Sequence, residues 1–315
     1  MEKDVIGIDI GGTTARAIVL DPASFEIKDQ LTTASSDNGP KLVQIIKSLV
    51  RELEENSKQS FSALGLGVAG LAHRSGIVRY SPNLPNLVEF PITAEIENEL
   101  GVPVIIGNDA TVGTIAEWKI GAGKGSNNFA LVTLGTGIGT GFVVDGRILL
   151  GSNGFAGEAG HMTIDANGPT HITGQRGPWE YFASGNALNR IVRNEASEGT
   201  FPWAVNKAGN WENATSHHLS SGIKEQEPDS LRILDYFCHE VSRGLTNLIL
   251  LLDLDRIVLG GGVSEIGEPL RNGIEKWIEK ILIGSEHRPK IEVQLAKLGS
   301  NAGAIGAALS TTNSF

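Results

Sequence analysis

A repeat constrains this chain more than any other feature. The apolar run Val5-Ile6-Gly7-Ile8-Asp9-Ile10 ends in Gly11-Gly12-Thr13-Thr14, and a second apolar run follows from Ala15 to Leu20. The same order returns as Phe129 to Leu134, Gly135-Thr-Gly-Ile-Gly-Thr-Gly141 and Phe142 to Val144. Setting Gly11 against Gly135 gives an offset of 124 residues, which places Ile18-Val19-Leu20 on Phe142-Val143-Val144 and Asp21 on Asp145. A strand, a glycine turn and an antiparallel return strand therefore open each of two halves. Two such halves facing each other would make a cleft with a glycine-rich turn on each wall.

The rest of the chain supplies what those hairpins need to become domains. A third strand is expected around Glu26 to Thr33. Leu42, Ile45, Ile46, Leu49, Val50 and Leu53 recur at helical spacing, which predicts an amphipathic helix over 40–55. Ala63 to Val68 and Pro103 to Gly107 read as short buried strands, Ile92 to Leu100 and 110–120 as helices. In the second half, Leu234, Phe237, Val241, Leu245, Leu248 and Leu252 mark a helix over 229–253. A strand from Arg256 to Leu259 runs into Gly260-Gly261-Gly262. A helix from Pro269 to Ile281, a strand from Lys290 to Leu295 and a small-residue helix from Ala302 to Leu309 complete the chain. The segment 197–228 lacks periodicity and reads as an irregular excursion. Strands alternating with helices mean an α/β fold with central sheets.

Composition narrows the chemistry. At 315 residues the chain is long enough for about two domains of roughly 100–200 residues each. Glycine makes up 40 of the 315 residues, roughly 13 % against ~7 % in average proteins, and it clusters at strand ends, where backbone can approach a ligand closely. Acidic residues outnumber basic ones 36 to 26, which argues against a nucleic-acid or anionic-membrane partner. Cys238 is the single cysteine, so no intrachain disulfide can form, and it lies beside a helical stripe where an inert buried thiol is expected. The start carries no apolar leader, and Leu248 to Leu252 falls far short of the ~20 residues that span a bilayer. These features point to the cytoplasm, where the Asn213-Ala-Thr215 sequon would be without consequence.

Four groups of residues carry chemistry. Asp9-Ile10-Gly11-Gly12-Thr13-Thr14 sets a carboxylate at a strand end before backbone N–H groups and hydroxyls that can converge on phosphate oxygens. Asp9 is placed to hold Mg²⁺ through water. An ordinary hairpin turn accounts for the same residues equally well. Gly135-Thr136-Gly137 opens the second turn, which precedes a strand rather than a helix and so is not a dinucleotide-binding fingerprint. Thr136 and Thr140 add hydroxyls there. No Walker A ending exists in the chain. Asn108-Asp109 opens the helix 110–120, where helix capping is the better account of the pair in isolation, although a carboxylate at a strand end is also where a general base would stand. Glu158, His161 and Glu180 lie among glycines and aromatics, and with Asn83 and Asn108 they would suit the hydroxyls of a sugar.

Taken together, these motifs resemble the ROK family of sugar kinases (repressor, open reading frame, kinase), within the actin-like ATPase superfamily. The matching elements are Asp9-Ile-Gly-Gly-Thr-Thr14, Ser81-Pro-Asn-Leu-Pro85, Gly107-Asn-Asp-Ala110, Leu134-Gly-Thr-Gly-Ile-Gly-Thr-Gly141, Gly157-Glu-Ala-Gly-His161 and Leu259-Gly-Gly-Gly-Val-Ser264. They keep the family's order over nearly the whole chain. Tyr181-Phe-Ala-Ser-Gly-Asn-Ala-Leu188 adds a likeness to the bacterial glucokinase subgroup. The resemblance implies a two-domain actin-like ATPase (ribonuclease H-like) α/β fold with an active-site cleft between the domains. The smaller domain would comprise 1–117 plus 298–315, and the larger one 118–297.

The resemblance further implies ATP- and Mg²⁺-dependent phosphorylation of glucose at the 6-hydroxyl, with Asp109 as the base. Asn83, Asn108, Glu158, His161 and Glu180 would hold the sugar. Gly11, Gly12, Thr13 and Thr14 with Gly135, Thr136 and Gly137 would grip the ATP phosphates, while Gly261, Gly262 and Val263 would border the adenosine. A homodimer is the family's habit. Alternatives within the class are a kinase for another hexose or an N-acetylhexosamine such as N-acetylmannosamine, or a glucokinase that uses polyphosphate. A sugar-responsive regulator of the same family is disfavoured, because only eight residues precede Asp9 and leave no room for a helix-turn-helix.

One departure stands out. Family members commonly bind zinc through the His of Gly-His and a Cys-x-Cys-Gly-x-x-Gly-Cys segment. Here His161 is kept, but the three cysteine positions hold His171, Thr173 and Pro178. Two imidazoles fall short of a four-ligand structural site, so no structural zinc is expected. Pro169 and Pro178 are expected to stiffen the loop instead.

Overall fold

The computed structural model describes residues 4–312. The outermost parts of the predicted N-terminal domain, 1–3 and 313–315, lie outside the described residues. The first half runs β1 (Val5–Ile10), β2 (Thr14–Leu20), β3 (Ile27–Ala34), α1 (Gly39–Ser57), β4 (Leu64–Val68), β5 (Leu71–His73), β6 (Ile77–Tyr80), α2 (Ile92–Leu100), β7 (Val104–Asn108) and α3 (Asp109–Lys119). The second runs β8 (Phe129–Leu134), β9 (Ile138–Val144), β10 (Arg147–Ile148), α4 (Trp179–Ala183), α5 (Gly185–Ser197), α6 (Pro202–Ala208), α7 (Ser216–Lys224) and α8 (Pro228–Leu252). It ends with β11 (Arg256–Gly260), α9 (Glu268–Ile281), β12 (Glu292–Leu295) and α10 (Ala302–Leu309).

The repeat is built into the topology. One sheet has the order β3-β2-β1-β4-β7 and the other β10-β9-β8-β11-β12, the same sequence of antiparallel hairpin followed by parallel neighbours. Adding 124 to the bounds of β1 and β2 gives the bounds of β8 and β9 residue for residue. The second turn is nevertheless shorter than the glycine run suggested. It spans 135–137, and the return strand begins at Ile138 rather than Phe142. Gly139 and Gly141 are strand residues. A Cβ on Gly141 would collide with Thr114 Oγ1 and lie 2.9 Å from the Ala110 carbonyl, so that glycine serves packing against α3 rather than turning.

The segment 197–228 is also more ordered than predicted. It carries α6, with Pro202 at its start, and α7, opened by a capping box of Thr215 and His218. Each helix is short and buries few side chains (Ala204 in one, Leu219 and Ile223 in the other), so no apolar period had room to emerge.

The chain forms two compact units. One comprises residues up to Asn127, Gly141–Gly157 and Lys297 onward; the other comprises Asn128–Thr140 and Glu158–Ala296. The first unit thus keeps 118–127 and 141–157, which the predicted boundary at 117/118 assigned to the larger domain. Glu117 is one physical reason. Its buried carboxylate accepts backbone N–H bonds from Ala122 (2.7 Å), Lys297 and Leu298 (2.9 Å each), pinning both segments to the end of α3.

Within the first unit, the two-residue period of β1 sorts its side chains. Ile6, Ile8 and Ile10 join Leu42, Ile46 and Leu53 of α1 in one core. Val5 joins Ile115, Ala304, Ile305 and Ala308 in the other, so Gly7 and Asp9 also face α10. In the second unit α8 packs on α9, and Cys238 lies buried there with its thiol 3.6 Å from the Leu270 carbonyl. Burial pushes that thiol up to about 12, as expected of a structural cysteine. Among the described residues no helix is long and apolar enough to cross a membrane.

Candidate active site

The first unit gathers one set of the expected residues. β1 ends at Ile10, and Gly11 N–H closes the following turn on the Thr14 carbonyl at 2.9 Å, leaving Gly12, Thr13 and Thr14 exposed. A Cβ on Gly12 would lie 2.9 Å from the Asn83 carbonyl oxygen, so the Asn83 loop rests directly on this turn. Beside it, β4 and β7 run parallel to β1, and β7 passes at Asn108 into α3. The carboxyl ends of parallel strands and the N-terminus of a helix thus meet in one place, an arrangement that suits anions.

Asn108 and Asp109 divide the work there. Asn108 Oδ1 accepts from the N–H of Ala110 (2.9 Å) and Thr111 (3.3 Å), and Nδ2 donates to the Gly70 carbonyl (3.0 Å). The cap reading therefore holds, and the Asn108 amide also lies against the Asp109 carboxylate. Asp109 is exposed, with one oxygen accepting from the Ala110 N–H at 2.9 Å. Water reaches it, yet the protein atoms around it thin the solvent enough to raise its pKa, against hydrogen bonds that lower it. Asp9 rises to about 6, first through burial, then through the charge of Asp109, with Arg16 opposing. Two carboxylates near each other that both resist ionisation are a recognisable catalytic signature.

The second unit gathers the other set. β8 and β11 are parallel neighbours, with Gly260 paired to Thr133, so Gly135-Thr136-Gly137 and Gly261-Gly262-Val263 follow adjacent strand ends. Gly185, opening α5, donates its N–H to the Gly135 carbonyl at 2.7 Å, and the Val263 side chain lies beside it. Thr136 is exposed. Thr140 is not. It is 1 % exposed, and its hydroxyl accepts the Ala159 N–H at 3.3 Å, so it holds the Glu158 loop instead of facing a phosphoryl group.

Glu158, His161 and Glu180 do converge. Ala159–His161 form one turn of 3₁₀ helix, which brings His161 Nε2 to 3.9 Å from Glu158 and Nδ1 to 3.6 Å from Glu180. Glu180 sits on α4 next to Trp179, whose fully buried indole donates to the Glu240 carbonyl at 3.3 Å and anchors the helix. The Ile138 N–H donates to Glu180 Oε2 at 3.4 Å, and a Cβ on Gly137 would come within 2.5 Å of the same oxygen. A side chain there would push the carboxylate aside, so glycine lets the second turn and Glu180 touch. His171, read from the sequence only as an imidazole at a cysteine position and not as a site residue, joins them with Nε2 3.4 Å from Glu180 Oε1. Its position in a motif that normally carries cysteine was the available signal. The set combines two carboxylates and two imidazoles, acceptors and donors fit for a polyhydroxylated ligand.

The ROK family model matches residues 5–313. A glucokinase of Thermotoga maritima is 31 % identical over 310 residues, covering 96 % of each chain. The xylose repressor of Bacillus subtilis is 28 % identical over 306 residues, which cover 96 % of this chain and 75 % of the repressor. The crystal structure of a ROK family glucokinase from Streptomyces griseus in complex with glucose and AMPPNP matches with a TM-score of 0.83 at 31 % identity, over 97 % of this chain and 98 % of that one. The α/β fold is that of the ROK sugar kinases, an actin-like ATPase fold. With all but a few terminal residues matched, this chain belongs to the ROK family.

Proposed function

We propose that this protein is an ATP-dependent glucokinase that transfers the γ-phosphoryl group to the 6-hydroxyl of glucose. The observation that carries the reading is Asp109. It is an accessible carboxylate with a raised pKa at the N-terminus of α3, beside Asp9 and the exposed Gly12-Thr13-Thr14 turn. Glucokinases about 30 % identical over nearly the full chain support it.

Asp109 would accept the proton of the 6-hydroxyl, while Asn83, Asn108, Glu158, His161 and Glu180 hold the remaining hydroxyls. Gly11 to Thr14 and Gly135 to Gly137 offer backbone N–H groups and hydroxyls to the phosphates, and Gly261 to Val263 border the adenosine. The neighbouring carboxylates of Asp9 and Asp109 fit Mg²⁺ held through water, which would neutralise phosphate charge. Positioning and charge account for most of such a reaction, so the protein's task is to orient the acceptor oxygen and exclude water from the transferred group. The resemblance further suggests a homodimer acting in the cytosol, where both substrates are found.

A coupled ADP-release assay across glucose, mannose, N-acetylmannosamine and N-acetylglucosamine, with ATP or polyphosphate as donor, tests the proposal. Glucose with ATP should give the highest kcat/KM. A different best pair replaces the substrate assignment, and no turnover with any pair removes the enzyme reading.

A further inference from the structure

The loop between His161 and Glu180 does not fit the zinc site of its family. Of the four positions, only His161 and His171 bear good zinc ligands; Thr173 offers a hydroxyl and Pro178 nothing. His161, His171 and Glu180 could bring three ligand atoms within 4.8 Å of one another, which is one short of a closed structural site. Two of those three are also the groups that the proposed function assigns to sugar hydroxyls. A metal there would take one atom of each, competing with the sugar for part of their bonding capacity.

The loop is tied together by other means. Its hairpin is laced by main-chain bonds: His171 N–H to Gln175 O (2.7 Å), Gly174 N–H to His171 O (2.9 Å) and Gly177 N–H to Pro169 O (2.9 Å). Gln175 donates to the His161 carbonyl, and the Trp179 N–H donates to the Met162 carbonyl at 2.9 Å, so both ends are clamped to the His161 turn. Two former cysteine positions now face each other. Thr173 Oγ1 is 3.0 Å from His171 Nδ1, which fixes the ring and turns Nε2 toward Glu180 at 3.4 Å. Glu180 is thereby flanked on one oxygen by two imidazoles and on the other by the Ile138 N–H.

We propose that His171, oriented by Thr173, replaces the family's metal as the group that positions Glu180 and His161 for the sugar, so that this chain binds its hexose without zinc. The inference rests on the proposed sugar role of Glu180. His171 is a positioning residue: it shapes the carboxylate that binds rather than touching the ligand. An imidazole can do this because it is a rigid donor with a second nitrogen by which its own orientation is held.

The test combines metal analysis with titration. Purified protein should carry far less than one zinc per chain, equilibrium dialysis against Zn²⁺ alone should give no tight stoichiometric uptake, and a zinc-selective chelator should leave glucose binding unchanged. Calorimetric titration with glucose, without nucleotide, should show His171→Ala weakening binding about tenfold, the scale of one hydrogen bond to a charged group. KM for glucose should rise in parallel, with KM for ATP and the melting midpoint nearly unmoved. His171→Gln, which can place an amide donor near the lost Nε2, should recover most of the affinity, and Thr173→Val should give a smaller loss. About one zinc per chain with affinity lost on chelation overturns the inference. So does wild-type glucose affinity in His171→Ala, or in Thr173→Val should the former not fold. A wild-type chain that binds no hexose at all overturns the function and this inference together, whereas wild-type binding with unaltered variants overturns this inference alone.

Discussion

Asp109 and Asp9 sit near each other with their pKa values displaced in the same direction, yet the displacement has different consequences for each. Asp109 must be ionised to accept a proton, so turnover should fall as pH drops through its raised pKa, above the ordinary carboxylate range. Asp109→Asn should keep glucose binding while kcat falls by about 10²–10⁴-fold, measured by single-turnover assay; near-normal turnover would remove Asp109 as base. For Asp9 the effect is on stability. Its folded pKa of about 6 exceeds the unfolded 3.8, so the stability it contributes is full below about pH 4 and is lost as pH rises through 6. Asp9→Asn should therefore raise the unfolding free energy measured by urea titration at pH 7.5 by on the order of 2–3 kcal/mol, and the midpoint with it, while activity disappears. The gain should vanish near pH 4, and an unchanged midpoint at pH 7.5 would contradict the burial cost. These two carboxylates were legible because each ends an apolar run. Glu117 was not. Nothing in its neighbourhood of Ala116 and Trp118 reveals that it collects N–H groups from residues 122, 297 and 298, the latter two far along the chain.

Among the elements, α10 shows how a small-residue helix can serve chemistry. The sequence announced it as suited to close packing, and its alanines and glycines do lie against the backbone of β1 and β4, where a Cβ on Gly7 or Gly65 would strike the carbonyls of Ala304 and Ala307. Which residue this closeness serves could not be read from the chain, because the partner is some 290 residues away. A Cβ on Gly303 would stand 2.5 Å from Asp9 Cγ and 2.6 Å from Oδ2. Alanine is favoured over glycine inside a helix by roughly 1 kcal/mol, which should offset part of the crowding. Gly303→Ala should therefore leave the melting midpoint within a few degrees of wild type but displace the Asp9 carboxylate. The expected loss is in kcat/KM for MgATP, tenfold or more, with glucose affinity kept. Equal losses for both substrates, or none, would argue against a specific contact. The short helices α6 and α7 illustrate the opposite limit of legibility, where caps define an element before any periodic face can.

On the scale of the whole molecule, the 124-residue offset explains why so much of the architecture was visible. A hairpin and two parallel strands recur in the same order, so reading one half correctly largely reads the other. The glycine run, unlike the offset, misled at residues 138–141, where a glycine packed against α3 looked like a turn residue. Division into units depended on contacts across long separations and was correspondingly harder to place.

The lone sulfur between α8 and α9 offers an experimental handle that requires no engineering. Because Cys238 is enclosed and its thiolate is suppressed, a disulfide reagent such as dithionitrobenzoate can modify it only when those helices part. The native chain should react over hours, and saturating glucose should slow the reaction further if the sugar stabilises this unit. Modification within seconds would mean that the helix pair opens freely. A single atom thus timestamps the breathing of half the protein, one chain at a time, in its unaltered form.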